Sequence, residues 1–218
     1  SLSANWMWPC KNVGEDARLY KAVEACSDFA CSLGINIPTG KDSLSMTQKY
    51  GNEKVLSPGT VIISAGAEVS DVKKVISPVL VNDIDTSIYY IDFSFHKMEL
   101  GGSVLYQTLN KVGKTTPNVE DPEYFATAFE AIQELINKGF ILAVHDISEG
   151  GMITALLEMC FGNKKGGLDV NYEDIATSNI LEILFAENPG VLIQVKKNSA
   201  VEKILTNTTD LYITGPGT

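Results

Sequence analysis

Histidine is almost missing from this chain. His96 and His145 are the only two, which excludes a histidine-rich metal centre. Cysteine is scarce too: Cys10, Cys26, Cys31 and Cys160 lack the C-x-x-C spacing of zinc ribbons and dithiol redox sites. Cys26 and Cys160 fall within apolar helical patterns, so the expectation is buried free thiols in a reducing cytoplasm. Positive charge is short. With 17 Lys and Arg against 27 Asp and Glu the net charge is −10, which argues against a nucleic-acid or anionic-membrane partner. No apolar run approaches the roughly 20 residues that span a bilayer. The opening Ser-Leu-Ser-Ala-Asn-Trp has neither an initiator Met nor a basic-then-apolar leader, and the chain is expected to be cut from something longer.

What is present describes an ordinary soluble globular protein. Of its 218 residues 44% are hydrophobic and 20% charged, enough for one large domain or two small ones. Glu15 to Leu33 carries apolar residues at a helical period, and Gly34 is a natural stop. Ile35 to Pro38 reads as an extended approach to a loop, Thr39 to Ser43. A Gly51-Asn52 turn follows, then Thr60 to Val69 as a well-buried strand. One helix and about three strands make a thin first block, residues 1–76. Ser77 to Asp85 is turn-rich and marks a boundary, so residues 77–218 form the second block.

That second block is fuller. Strands are expected over Ile88 to Phe95, Phe140 to Val144, Val191 to Val195 and Leu211 to Thr214. Helices are expected over Gly102 to Lys111, Asp121 to Lys138, Met152 to Phe161 and Ser199 to Leu205, with a short one near Glu173 to Thr177. Leu181 to Phe185 has an ambiguous period. The alternation implies an α/β fold, an α+β sandwich with helices packed on a sheet.

The stretch His145-Asp146-Ile-Ser148-Glu-Gly150-Gly151 ends one of these strands and opens a helix. Such a turn sets a carboxylate and a hydroxyl at a strand's C-terminal edge, beside the free N–H groups and positive dipole end of a helix. It can hold a phosphate, with Asp146 carrying the accompanying Mg²⁺. It can equally be an ordinary strand-to-helix turn with Ser148 as N-cap. His145 and Asp146 are neighbours on a strand and should point to opposite faces, which speaks against a His–Asp dyad.

Gly40-Lys41-Asp42-Ser43 combines a flexible Gly, a cation and a hydroxyl. It is not a P-loop, because Asp42 separates Lys41 from Ser43. It suits an anion held by backbone and side-chain donors, or a surface turn with a solvated Lys. Trp6 and Trp8 read as packing residues.

Leu2-Ser-Ala-Asn-Trp-Met7, Gly14-Glu-Asp-Ala17, Ile37-Pro-x-Gly-Lys-Asp-Ser-Leu-Ser-Met46 and His145-Asp-Ile-Ser-Glu-Gly-Gly151 occur in that order. Order and spacing resemble the second synthetase half of large-type phosphoribosylformylglycinamidine synthase (formylglycinamide ribonucleotide amidotransferase). Asp-x-Ser-x-Gly-Gly alone marks only the wider aminoimidazole ribonucleotide synthetase-like superfamily. The resemblance implies an incomplete N-type synthetase subdomain over residues 1–76 and a C-type subdomain, helices on a mixed sheet, over 77–218. It implies an ATP-dependent C–N ligase of purine biosynthesis. Formylglycinamide ribonucleotide, ATP and glutamine become formylglycinamidine ribonucleotide, ADP, phosphate and glutamate, through an iminophosphate displaced by channelled ammonia.

By position, Asp146 matches a family Mg²⁺ ligand and Ser148 a nucleotide contact. Gly150 belongs to the same turn, and Lys41 and Ser43 take a phosphate-facing role. Glu149 stands where the family often has Asp. The implied cofactors are ATP or ADP and Mg²⁺, and the implied partners are the first synthetase half and the glutaminase domain of the same polypeptide. The expectations are an isolated chain without activity, an uncovered sheet edge that invites self-association, and, as the alternative, a non-catalytic structural half with a stabilising nucleotide.

Overall fold

The computed structural model describes residues 1–164, 167–170, 179–197 and 199–208. The chain separates into two compact units, Ser1–Ser70 and Asp71–Thr218. Residues 71–76, which turn signals group with the first block, go with the second unit. There Val72–Lys74 forms a 3-10 turn and Lys74 Nζ donates to the Asn137 carbonyl at 3.1 Å.

In the first unit, strand β1 (Leu2–Met7), helix α1 (Glu15–Ser32) and strand β2 (Thr39–Ser43) make a β-α-β unit with the strands parallel. A hairpin follows, β3 (Thr47–Tyr50) and β4 (Glu53–Leu56), turning at Gly51 with φ +57°. Strand β5 (Thr60–Ala65) then returns antiparallel to β1, so the sheet order is β2-β1-β5. Thr39–Ser43 is therefore a strand and not the expected loop. Its local signal is that of a turn, and pairing with β1 overrides it. Gly40 is the concession to that pairing, because a Cβ there would lie 2.1 Å from the Ala4 carbonyl oxygen. The expected buried strand also needs correction: it ends at Ala65, and Val61, Ile62 and Ile63 are exposed. On α1 the apolar period is present, yet only Ala30 is buried.

The second unit holds the main core. Strands β6 (Thr86–Asp92), β7 (Ile141–Asp146) and β8 (Gly190–Lys196) pair antiparallel in the order β6-β8-β7. The parallel pairing of a mixed sheet thus occurs in the first unit. Helices α2 (Val104–Thr108), α3 (Pro122–Asn137), α4 (Gly151–Phe161), α5 (Ile180–Phe185) and α6 (Ser199–Thr208) complete the unit. Alternation along β6 divides the core. Ile88 and Tyr90 face Met152, Leu156 and Met159 of α4 and Ile183 of α5. Tyr89, Ile91 and Phe93 face Ala128, Ile132 and Leu135 of α3 and Val201 and Leu205 of α6. Helices cover both faces of a sheet that contributes side chains to both, the two-sided layer arrangement of an α/β fold.

Local chemistry sets the helix ends. Asp121 caps α3, its Oδ1 accepting from the N–H groups of Glu123 (2.9 Å) and Tyr124 (3.2 Å), with Pro122 in the first turn. The ambiguous Leu181–Phe185 segment is helical, capped by Asn179. All four cysteines are free, but Cys26 and Cys160 are half-buried rather than buried. No helix among the described residues is long and apolar enough to cross a membrane. The short helix near Glu173 to Thr177 and the closing strand Leu211 to Thr214 lie outside the described residues.

Candidate functional site

Asp146 is the last residue of β7, and its side chain is 76% exposed. Ile147 turns inward, its N–H donating to the Gly190 carbonyl at 2.8 Å, while Ser148 and Glu149 are exposed. Gly150 and Gly151 follow with φ +88° and +71°, a pair of left-handed residues that glycine adopts without a Cβ penalty. Helix α4 is capped by Gly150 and carries no side-chain cap. Ser148 is therefore not the N-cap; its carbonyl accepts from the Gly151 N–H at 3.0 Å, and its exposed hydroxyl is left out of the helix start.

The Gly150 N–H is engaged within the fold. It donates to Glu187 Oε1 at 2.9 Å, and the same oxygen accepts from the Val104 N–H at 2.9 Å. A carboxylate of the chain's own thus stands where the head of α4 attracts negative charge. Nothing local in the sequence marks Glu187, a single acid in the turn before β8. The signal lies in its partners, 37 and 83 positions away.

His145 differs from expectation. Its ring folds along the strand end, so that Nδ1 lies 2.8 Å from the Asp146 carbonyl oxygen and 3.6 Å from Asp146 Oδ1. Nε2 lies 3.2 Å from Glu158 Oε2 on α4. Alternation of Cβ atoms separates neighbours in mid-strand, but at a strand end the ring is free to swing back. His145 thereby bridges the Asp146 turn and α4.

A second polar cluster lies in the interior of the same unit. Asp92 Oδ1 accepts from Ser94 Oγ at 2.7 Å, and Oδ2 accepts from the Phe95 N–H at 2.9 Å. Burial pushes the Asp92 carboxyl above its ordinary range, partly opposed by these hydrogen bonds. Tyr90, beside it, is pushed well up by burial and then by the Asp92 charge.

Lys41 and Ser43 lie in the first unit, two residues apart on β2 and therefore on one face, with Nζ donating to Oγ at 2.9 Å. Asp146, Ser148 and Gly150 lie together in the second. Mg²⁺ accepts one or two carboxylates and completes its octahedron with water and phosphate oxygens. An exposed Asp146 beside an exposed hydroxyl fits one ligand of such a set. Among the described residues no three His, Cys, Asp or Glu side chains form a metal-holding group.

The fold has known counterparts. Residues 93–211 match the family described as AIR synthase related protein, C-terminal domain, and residues 1–68 match the FGAR-AT PurM_N-like domain. The chain belongs to the AIR synthase-related family, and within it to the phosphoribosylformylglycinamidine synthase (FGAR-AT) branch. It is 36% identical over 200 residues to the "Probable phosphoribosylformylglycinamidine synthase, chloroplastic/mitochondrial" of Arabidopsis thaliana. That match covers 90% of this chain and 14% of the plant protein's length.

Solved structures share the fold. PurLQS from Thermotoga maritima superposes with a TM-score of 0.66 at 15% identity, over 100% of this chain and 33% of that one. T. maritima PurL complexed with FGAR gives 0.66 at 14% identity, over 99% and 34%. Escherichia coli HypE, a hydrogenase maturation protein, gives 0.62 at 16% identity, over 99% and 66%.

Proposed function

We propose that this chain is part of an ATP-dependent C–N ligase that converts formylglycinamide ribonucleotide, ATP and glutamine to formylglycinamidine ribonucleotide, ADP, phosphate and glutamate. The observation that carries the reading is the Asp146–Gly151 turn: an exposed carboxylate and hydroxyl held at a sheet edge by two left-handed glycines. The plant relative supports the reaction, and T. maritima PurL complexed with ATP and with FGAR supports the ligand classes.

In this reading Asp146 holds one position on Mg²⁺ and Ser148 donates to a phosphate oxygen. Gly150 contributes the turn's conformation, its N–H being bound to Glu187. When bound, the cation draws charge from the phosphate oxygens. Lys41, paired with Ser43 on an edge strand, supplies a cation and a hydroxyl to a phosphate. Turnover needs groups beyond this chain, namely the first synthetase half and a glutaminase as ammonia source. The free thiols suit a reducing compartment such as the cytoplasm. The exposed apolar edge of β5 suits self-association of the isolated chain.

Titration of Mg·ADP into the chain and into Asp146→Asn tests the site. Binding that falls about tenfold or more in the variant is expected, a loss of one charge-assisted ligand; equal binding to both overturns the assignment. Product formed by the purified chain from glutamine or ammonia overturns the claim that it needs the other domains.

A second reading follows from the turn offering a cation only the exposed carboxylates of Asp146 and Glu149, with no third metal-binding side chain grouped with them among the described residues. A nucleotide here would stabilise without reacting, by roughly 2.7 kcal/mol at 100 times Kd. Asp146→Asn in the intact enzyme separates the two. A large fall in kcat with Tm unchanged marks catalysis, and a lower Tm with kcat intact marks the structural role.

A further inference from the structure

The turn that carries Asp146 is held from behind by one short segment, residues 184–190, through contacts in register. A Cβ on Gly151 would lie 2.8 Å from the carbonyl oxygens of Leu184 and Ala186, so the C-terminal end of α5 packs directly on Gly151. Next, Glu187 Oε1 receives the Gly150 N–H, and then the Gly190 carbonyl receives the Ile147 N–H at 2.8 Å. The first and third are made by main-chain atoms, and glycine at 151 and 190 leaves room for them. The middle one is made by a side chain, and it reaches a second target, the Val104 N–H that opens α2. A half-buried carboxylate accepting two N–H groups makes two charge-assisted hydrogen bonds, stronger than neutral ones.

We propose that Glu187 is a positioning residue for the Asp146–Gly150 turn, its carboxylate tying the Gly150 amide to the Val104 amide and so fixing where Asp146 and Ser148 stand. The proposal rests on the phosphate–metal reading of that turn for its functional consequence, and on the two hydrogen bonds for its geometry. A free Gly150 N–H would leave the left-handed pair able to rotate, since glycine has little intrinsic preference for one sign of φ. The clamp removes that freedom before any ligand arrives, which is how a short turn is preorganised.

The test uses the whole 218-residue chain, its Glu187→Ala and Glu187→Gln variants, amide hydrogen exchange and Mg·ADP titration. Glutamine keeps a carbonyl oxygen able to accept both N–H groups, whereas alanine keeps none. In Glu187→Ala the Gly150 and Val104 amides should exchange about tenfold faster or more, the scale of a lost charge-assisted bond. The amides of Tyr90 and Ile193 in the central ladder should hold their wild-type rates. Mg·ADP should bind about fivefold or more weakly. Glu187→Gln should restore both measures to within about threefold of wild type.

Unchanged exchange at Gly150 and Val104 in Glu187→Ala overturns the clamp. So does faster exchange throughout the ladder that glutamine fails to repair, because that marks general loss of structure. Tighter Mg·ADP binding by Glu187→Ala also overturns it, showing the carboxylate to be a competitor for an anion seat. Should the alanine variant not fold, Glu187→Gln decides alone: both amides protected supports the clamp, and neither protected refutes it. If the wild-type chain binds no Mg·ADP, the nucleotide reading fails while exchange still judges the clamp.

Discussion

The side-chain amide of Asn188 reaches across 94 positions of sequence to the hydroxyl of Ser94, 3.0 Å away in the core of the second unit. The same nitrogen lies 3.1 Å from the Lys97 carbonyl and 3.4 Å from the His96 carbonyl. Asn188 therefore fixes the turn before β8 to the chain leaving β6. Replacing it by Ala strands these acceptors and opens a small void, a loss of about 2–3 kcal/mol. Asn188→Asp should be worse at neutral pH, because a carboxylate can donate to neither carbonyl and would be buried facing them. Denaturant midpoints for the three proteins check the order; Asn188→Asp as stable as wild type would refute it.

Asp92 gives a pH prediction with a definite sign. Burial raises its folded-state carboxyl above the ordinary range, so the folded chain binds this proton more readily than the unfolded chain. Its contribution to stability is fully present below the unfolded pKa, about 3.9, and is lost as pH rises through the higher folded value. Asp92→Asn removes that titration. The difference in Tm, wild type minus Asp92→Asn, should therefore fall as pH rises from about 4. A difference that grows with pH would show that the hydrogen bonds from Ser94 and Phe95 outweigh burial.

Gly150 and Gly151 share a left-handed backbone but not a neighbourhood. A Cβ on Gly150 would meet the Thr154 hydroxyl at 2.3 Å, the end of a side chain that can rotate away. A Cβ on Gly151 would meet main-chain atoms of Leu184, Phe185 and Ala186, all at 2.8 Å, and these cannot yield without moving α5. Gly150→Ala should cost about 1–2 kcal/mol from backbone strain alone. Gly151→Ala should cost clearly more, because a clash adds to the strain. Thermal melts of the two variants check the ranking, and equal losses would contradict it.

The second unit was largely legible because its signals are local. Asp121-Pro122 and Gly139 bracket α3, and β7 passes into α4 through Asp146 to Gly151, as their spacing implies. The first unit was less so. Leu2, Ala4 and Trp6 alternate with Ser3 and Asn5 over only a short run, and Thr39–Ser43 looks like a turn but becomes a strand by pairing with β1, which β5 also pairs. Lys41 and Ser43 were legible as a pair of polar groups, but their shared face follows only from the extended backbone of β2. Glu187 was illegible, since both of its partners are main-chain amides that any sequence would supply.

Strand β5 is an edge of the β2-β1-β5 sheet, and it exposes Val61, Ile62 and Ile63 at 36%, 50% and 40%. Successive residues point to opposite faces, so apolar surface flanks the open edge on both sides. Unpaired N–H and C=O groups beside exposed β-branched residues form a template for another strand. The isolated chain should therefore self-associate, its apparent mass in light scattering rising with concentration. A charge at the centre of the edge opposes a second copy, which would have to bring its own charge alongside. Ile62→Lys should hold the chain monomeric while the β1–β5 pairing, a backbone ladder, survives. Both tryptophans, Trp6 and Trp8, lie at the β1 end of this unit, so unchanged indole fluorescence in Ile62→Lys would show that the sheet stays formed. A wild-type chain of constant mass at every concentration would mean that the edge is silent.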